Sequence, residues 1–284
     1  MSGKATPGFD ARHFKTLERA GFNRIAARYA DGAHLRANLA DALLAAAGLA
    51  PGQRVLDLAS GPGLLALRAA ELVQPGGEVL ATDIAEGMLA EGARRNPHAS
   101  GLRFAAADAE HLCLADGSVD RVLAGLALFM FPHPEQALAE IRRVLAPGGS
   151  VTLSVWAERD AVPLIGCAQA CIARLLPAPK VVRPSVFRFG APNVLEALLH
   201  KAGFDTVHIE ACDFTCRFTR TEDYWQAFLD LAGGAAESLA RLPEATQQAL
   251  RTEVGAELHA FRSDDGAAYA LPARALVATA RRAP

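Results

Sequence analysis

Five short runs rich in aliphatic and β-branched residues, separated by stretches with helical spacing, fill residues 53–156, and this alternation leaves few folds open to the chain. The runs are RVLDLA (54–59), EVLATD (78–83), LRFAAAD (102–108), VDRVLAG (119–125) and SVTLSVW (150–156). Such an order predicts parallel βαβ units, because each return to a parallel strand needs a crossover long enough to hold a helix. The segment PEQALAEIRRVLAPGG carries the helix signals. Pro134 suits the first turn, Leu138, Ile141, Val144 and Leu145 form an apolar face, and Pro147-Gly148-Gly149 ends the helix. Two further runs, DTVHIEACDF (205–214) and ALPARALVATARR (270–282), bring the expected sheet to seven strands. The first of them follows a predicted helix that starts near Pro192 and stops at Gly203.

Three stretches interrupt the alternation: helices from about Ala11 to Gly48, residues 157–190, and residues 219–262, which read as two or three helices. Together they are expected to cap one edge of the sheet. The expected division is therefore a single domain over 1–284, with an N-terminal helical cap (1–50) and a ligand-binding core (51–156). A lid insertion (157–190) and the rest of the sheet with its helical insertion (191–284) follow. With 284 residues, 51% of them hydrophobic, the chain can bury one large core.

Lysine and arginine total 29 against 31 acids, so a net charge of −2 gives no broad basic field for nucleic acid or an anionic membrane. The first thirty residues are too charged for a secretory signal, and no run approaches the roughly 18 apolar residues that would span a bilayer. A cytoplasmic protein is expected, with a homodimer an open alternative to a monomer. Five cysteines, an odd number, speak for reduced thiols. Cys167 with Cys171, and Cys212 with Cys216, share a four-residue step that is wider than structural zinc sites favour, so no metal is expected.

The first run ends in VLDLASGPGLLAL, where Gly61 and Gly63 form a strand-to-helix turn. In open α/β sheets ligands sit at the carboxyl ends of the strands, and glycines there let backbone approach a ligand closely. Glycine spacing alone also fits a dinucleotide fingerprint. The acids discriminate better. Asp57 lies near the end of the first run, and against a pyrophosphate about 5 Å away it would be repelled by roughly 3 kcal/mol at an effective dielectric near 20. Asp83 ends the second run, where a carboxylate can accept from both ribose hydroxyls. Asp108 ends the third, within reach of an adenine amino group. Three acids around one turn predict a negative rim suited to a cationic nucleoside.

The phrase order VLDLASGPG, ATDIAEGML, AADAEHL, RRVLAPGG resembles the class I S-adenosylmethionine-dependent methyltransferases, in particular the small-molecule branch related to ubiquinone/menaquinone methyltransferases. The resemblance is specific from Val55 to Trp156, and Ala59 departs from it where the family pattern has a glycine. It implies a Rossmann-like α/β fold with strand order 3-2-1-4-5-7-6, the last strand antiparallel, and S-adenosylmethionine as cofactor. Carried over residue by residue, it implies that Asp57, Gly61 and Gly63 lie along the methionine portion and Asp83 clasps the ribose. Ile84 and Met88 would pack on the adenine, Asp108 and Ala109 would hold its edge, and Gly125 and Leu126 would line the methionine side near the sulfonium. Tyr29, in NRIAARYA, would cover the cofactor.

The implied reaction moves a methyl group to an oxygen, nitrogen or carbon of a small, partly apolar, aromatic or polyketide-like metabolite. The alternative keeps the cofactor and catalyses a cyclisation or decarboxylation. Because positioning can supply most of the catalysis, no fixed catalytic signature is required. His133, just after the fourth run, is the histidine nearest the expected methyl group and the candidate base; the other reading is a turn residue before a helix. Aromatic residues Phe129, Phe131, Trp156, Phe187, Phe189, Tyr224 and Trp225 would form an acceptor pocket if they converge, and Arg183 and Arg188 could hold an acidic group of the acceptor.

Overall fold

The computed structural model describes residues 9–177 and 183–284. Its seven strands are β1 (Arg54–Leu58), β2 (Glu78–Asp83), β3 (Leu102–Ala106), β4 (Val119–Gly125), β5 (Leu145–Trp156), β6 (Val207–Phe218) and β7 (Tyr269–Arg281). They form one sheet in the order β3-β2-β1-β4-β5-β7-β6. The pairs from β3 to β5 are parallel, and β7 runs antiparallel to both β5 and β6. The order and the reversed seventh strand agree with the expectation from the resemblance.

The central strands are covered on both faces, which is why they read as continuous apolar runs. Val55, Leu56 and Leu58 of β1, and Val122 and Leu123 of β4, are fully or almost fully buried. Helices α3 (Leu64–Leu72), α4 (Glu86–Arg95) and α5 (Pro134–Val144) make the crossovers among the parallel strands, and α7 (Pro192–Lys201) precedes β6. Leu138, Ile141 and Val144 of α5 are buried as their spacing predicts, with Pro134 at its start. The proline-glycine stretch that follows lies inside β5. Val119 pairs with Leu145 and Arg121 with Ser150, so residues 146–149 bulge out of the ladder and the strand begins five residues earlier than the apolar run suggests.

The two N-terminal helices pack differently. Helix α2 (Ala37–Ala47) lays Leu39, Leu43 and Leu44 on the sheet beside α3. Helix α1 (Ala11–Asp31), capped by the Asp10 carboxylate accepting from the His13 amide at 3.0 Å, lies over α4 and against the later helices. Its apolar anchor is small: Ile25 and Ala26 join Ala85 and Met88 in a cluster apart from the main core, flanked by Phe22 and Tyr29. Ion pairs complete the attachment, Arg19 to Glu86 at 2.6 Å, Arg24 to Glu237 at 2.6 Å and Arg28 to Asp230 at 2.8 Å.

Residues 163–175 form α6, which packs on β7, and the later insertion forms α8 (Thr221–Leu231), α9 (Gly234–Ala240) and α10 (Glu244–Leu258). Cys167 and Cys171 are buried on α6, while Cys212 and Cys216 lie on β6. Among the described residues no helix is long and apolar enough to cross a membrane, and no group of three metal-capable side chains gathers.

Candidate functional site

At the carboxyl ends of β1, β2 and β4 the sheet opens into a cleft with two adjoining lobes, which share Tyr29, Ala59, Gly125 and Leu126. The larger lobe encloses about 810 Å³ and the smaller about 510 Å³, open solvent included.

The turn after β1 builds the floor. Gly61 (φ +56°) and Gly63 (φ +84°) occupy the left-handed region, and a β-carbon on Gly63 would also meet the Phe104 ring at 3.1 Å. The Gly61 amide donates to Asp83 Oδ2 at 2.9 Å and the Ala85 amide to Asp83 Oδ1 at 2.8 Å. Asp83 thus ties the turn to the start of α4, and a carboxylate has acceptor capacity beyond two bonds. Burial pushes its pKa up, and the amides of Ala85, Gly61 and Ile84 work against that rise.

Among the described residues two non-glycines hold positive φ, Ala59 (+53°) and Leu126 (+52°), and both line both lobes. Left-handed backbone costs an L-residue roughly 1–2 kcal/mol, so strain is stored where the lobes meet. The departure at Ala59 is therefore a strained one. Replacing Ala59 with glycine should stabilise the chain by about 1 kcal/mol after the larger unfolded-state entropy of glycine is subtracted; denaturant melts showing an unchanged or lower midpoint would refute it.

The smaller lobe holds two buried ionic groups of opposite sign. Asp57 is 0% exposed, and neither of its oxygens meets a partner at full hydrogen-bond geometry, the Ala66 amide being a weak neighbour. Burial pushes its pKa up to about 8, the Ala66 amide only partly offsets this, and the nearby Asp83 charge adds to the rise. Arg36, 7% exposed, lies 4.0 Å over the Tyr29 ring and donates through Nη2 to the Tyr29 carbonyl at 3.0 Å, while its Nη1 has no partner. Nothing in the sequence marks Arg36, since it closes a 3-10 turn and reaches the lobe only because α1 and α2 fold back on the sheet.

In the larger lobe Gly61, Asp83, Ile84, Met88, Asp108, Ala109, Gly125, Leu126 and Tyr29 come together as the resemblance implied; Gly63 lies behind the turn, outside the lining. Asp108 is not free. Lys15 Nζ donates to its two oxygens at 2.9 and 2.7 Å and to Glu110 Oε2 at 2.7 Å. This pairing corrects the expectation of a uniformly negative rim: Asp108 is neutralised, and burial holds Asp57 and Asp83 toward their protonated forms until a cation arrives. Lys15 and Glu110 escape sequence reasoning because their contact spans 95 residues.

Of the expected aromatic acceptor pocket only Phe131 reaches the cleft, and Phe189 is buried in the main core. Phe129, Trp156, Tyr224 and Trp225 are buried in the main core. The Tyr224 hydroxyl donates to the Leu164 carbonyl at 3.0 Å, Trp225 stacks on Phe228 and Phe187 packs under Arg159. Each is consumed in helix and strand packing before it can face the cleft. Arg188 donates to the carbonyls of Leu128, at 3.3 Å, and Phe131, so it braces the turn after β4. Arg183 pairs with Glu18, which lines the larger lobe. Phe131 is joined in the aromatic lining by Phe14, Phe22 and Tyr29, which share one face of α1. His133 is exposed at the N-cap of α5, outside both lobes, with its amide donating to Glu110 Oε1 at 2.7 Å.

Residues 56–153 match the family model described as a methyltransferase domain. A demethylmenaquinone methyltransferase of Thermus thermophilus is 38% identical over 169 residues, covering 54% of this chain and 74% of that protein. The chain belongs to the S-adenosylmethionine-dependent methyltransferases. Solved structures repeat the fold of this methyltransferase at low identity. The phosphoethanolamine N-methyltransferase 2 of Haemonchus contortus, in complex with S-adenosylmethionine, superposes with a TM-score of 0.55 at 19% identity, over 87% of this chain and 53% of that one. The [4+2]-cyclase SpnF gives 0.54 at 20% identity, over 87% and 81%. The methyltransferase takes its methyl group from S-adenosylmethionine and passes it to a small molecule.

The lobes fit that cofactor on their own terms. Its methionine end carries an ammonium and a carboxylate, and the smaller lobe offers one unpartnered buried carboxylate and one unpartnered buried guanidinium nitrogen. Buried charges left unpaired are costly, so they point to a ligand that pairs them.

Proposed function

We propose that the methyltransferase seats the methionine end of S-adenosylmethionine between Asp57 and Arg36 and methylates an apolar, ring-bearing acceptor lying against Phe14, Phe22, Met130 and Phe131. The observation that carries the cofactor placement is the pair of orphaned opposite charges in one lobe. In this reading Asp57 receives the ammonium and Arg36 the carboxylate. Asp83 accepts from the ribose hydroxyls, Ile84 and Met88 flank the adenine, and Asp108 and Ala109 border its edge. Tyr29 covers the junction of the lobes, opposite Gly125 and Leu126.

The bound cofactor supplies a methyl group already activated by a sulfonium. What remains for the chain is alignment and exclusion of water, which the apolar lining of the larger lobe favours. The kinship to a demethylmenaquinone methyltransferase supports a quinol-like ring as acceptor, and relatives named for methyl transfer weigh against cyclisation or decarboxylation. Isothermal titration with S-adenosylhomocysteine, followed by a transfer assay on demethylated quinols and small phenols, tests this reading. No heat with the nucleoside would overturn the cofactor placement; methylation confined to charged, ring-free acceptors would overturn the acceptor class.

His133 has no part in this machinery, because a base must come within hydrogen-bond reach of the proton it removes and this ring sits on the surface. His133→Ala should keep kcat within about twofold of the parent across pH 6–9, a modest bound next to the 10²–10⁴-fold that general-base catalysis supplies. A hundredfold loss would return the histidine to the site.

A further inference from the structure

Behind Tyr29 and Arg36 lies a third cavity, of about 930 Å³, between the end of α1, the Gly32–Arg36 turn, the end of β6 and α8. It shares Tyr29 and Arg36 with the smaller lobe, so those two side chains are the wall between them. Its three carboxylates are all engaged by cations: Asp31 by Arg95 at 2.7 Å, Asp223 by Arg220 at 2.7 Å and Asp230 by Arg28 at 2.8 Å. Two of those cations, Arg95 and Arg220, stand outside the cavity lining. Arg217, in contrast, lines the cavity without a hydrogen bond or ion pair among the described residues, with only a longer-range attraction to Asp265. Arg36 adds its buried, unpartnered Nη1. The unmatched charge of this cavity is therefore positive.

We propose that this cavity is a second binding site, for the anionic group of a small carboxylate or phosphate compound held by Arg217 and Arg36, and that its occupancy antagonises cofactor binding. The antagonism rests on the proposed seat of the cofactor carboxylate at Arg36. With Nη2 donating to the Tyr29 carbonyl and Nη1 unpartnered, an anion in the cavity and a carboxylate in the lobe would share the single positive charge of Arg36 and repel each other across it. By linkage the cofactor would weaken the anion by the same factor.

The test uses inorganic phosphate and malonate, each against sodium chloride at equal ionic strength, on the parent chain and on Arg217→Ala. Arg217 lies outside both lobes of the cleft, so its removal should leave the affinity for S-adenosylhomocysteine unchanged when no added anion is present. The expected result is a rise in melting temperature with phosphate or malonate and a weakening of S-adenosylhomocysteine binding by about fivefold or more, within the usual range of site-to-site coupling. Both effects should be absent from Arg217→Ala. A response by only one of the two anions names the ligand class. No melting shift beyond chloride, or equal effects in the variant, overturns the second site. A melting shift that Arg217→Ala abolishes, with cofactor affinity unmoved, overturns the antagonism and keeps the site. Failure of S-adenosylhomocysteine to bind at all counts against the cofactor placement, and the phosphate-induced shift still decides the cavity.

Discussion

Replacing Asp57 with asparagine should raise the stability of the ligand-free methyltransferase above pH 8 while removing most of its affinity for S-adenosylmethionine. The wild-type carboxyl ionises at about 8 when folded against 3.8 in the open chain, because burial disfavours the charge. A folded-state pKa above the unfolded one means that the folded chain holds the proton longer. Stability is then greatest below about pH 4, falls as pH rises toward about 8 and levels off beyond. At about 1.4 kcal/mol per pH unit, the full swing is on the order of 5 kcal/mol, and relaxation around the carboxylate will return part of it. Asparagine does not ionise, so its melting curves should stay flat across that window. It should come closest to the parent at pH 5, where little of the swing has yet been lost, and exceed it most clearly at pH 9.

The cofactor reverses the balance in the parent, since an ammonium in the smaller lobe pays for the charge. Affinity for S-adenosylhomocysteine should therefore climb with pH up to about 8, and Asp57→Asn should lose about 2–5 kcal/mol of it, the usual cost of deleting one partner of a buried charge pair. Thermal melts and titrations between pH 5 and 9, with and without S-adenosylhomocysteine, check both halves. A parent whose melting point rises from pH 5 to 8 would contradict the burial argument, and an asparagine variant with parental affinity would remove Asp57 from the site.

Arg36→Ala is expected to weaken S-adenosylhomocysteine binding by about 1.5–3 kcal/mol, the range for a hydrogen bond to a charged group. The same variant should bind 5′-methylthioadenosine, which lacks the amino-acid end, as well as the parent does. That contrast separates a carboxylate contact from mere disruption. Arg36 also lies over the Tyr29 ring and bonds its carbonyl, so a general loosening of the lobe would weaken both ligands together and would count against the assignment.

Which residues would converge on the candidate site was largely legible in the chain because its pieces are local. Asp57, Gly61, Asp83 and Asp108 each end a strand or open a helix within a few residues of their neighbours in sequence, and the sheet gathers strand ends at one rim. Signals that depend on which way a side chain faces were not legible. An aromatic residue reads the same whether it fills the core, as Trp156 and Tyr224 do, or lines the cleft, as Phe14 and Phe22 do. His133 illustrates the same limit, since proximity in sequence to the fourth strand says nothing about the direction of a ring on a helix N-cap.

The alternation of apolar runs and helical spacing, with glycine and proline between them, determined the seven-stranded sheet and the position of its ligand-bearing rim. These are short-range properties, set by backbone sterics and burial periodicity. The charge of the rim was decided only by tertiary packing. Lys15 arrives from α1 to neutralise Asp108, and Arg36 arrives from the turn before α2 to line the same lobe as Asp57 with its Nη1 unpartnered. Pairings across 95 residues leave no local trace, because a charge is compensated by whatever folds against it and the sequence does not record that distance.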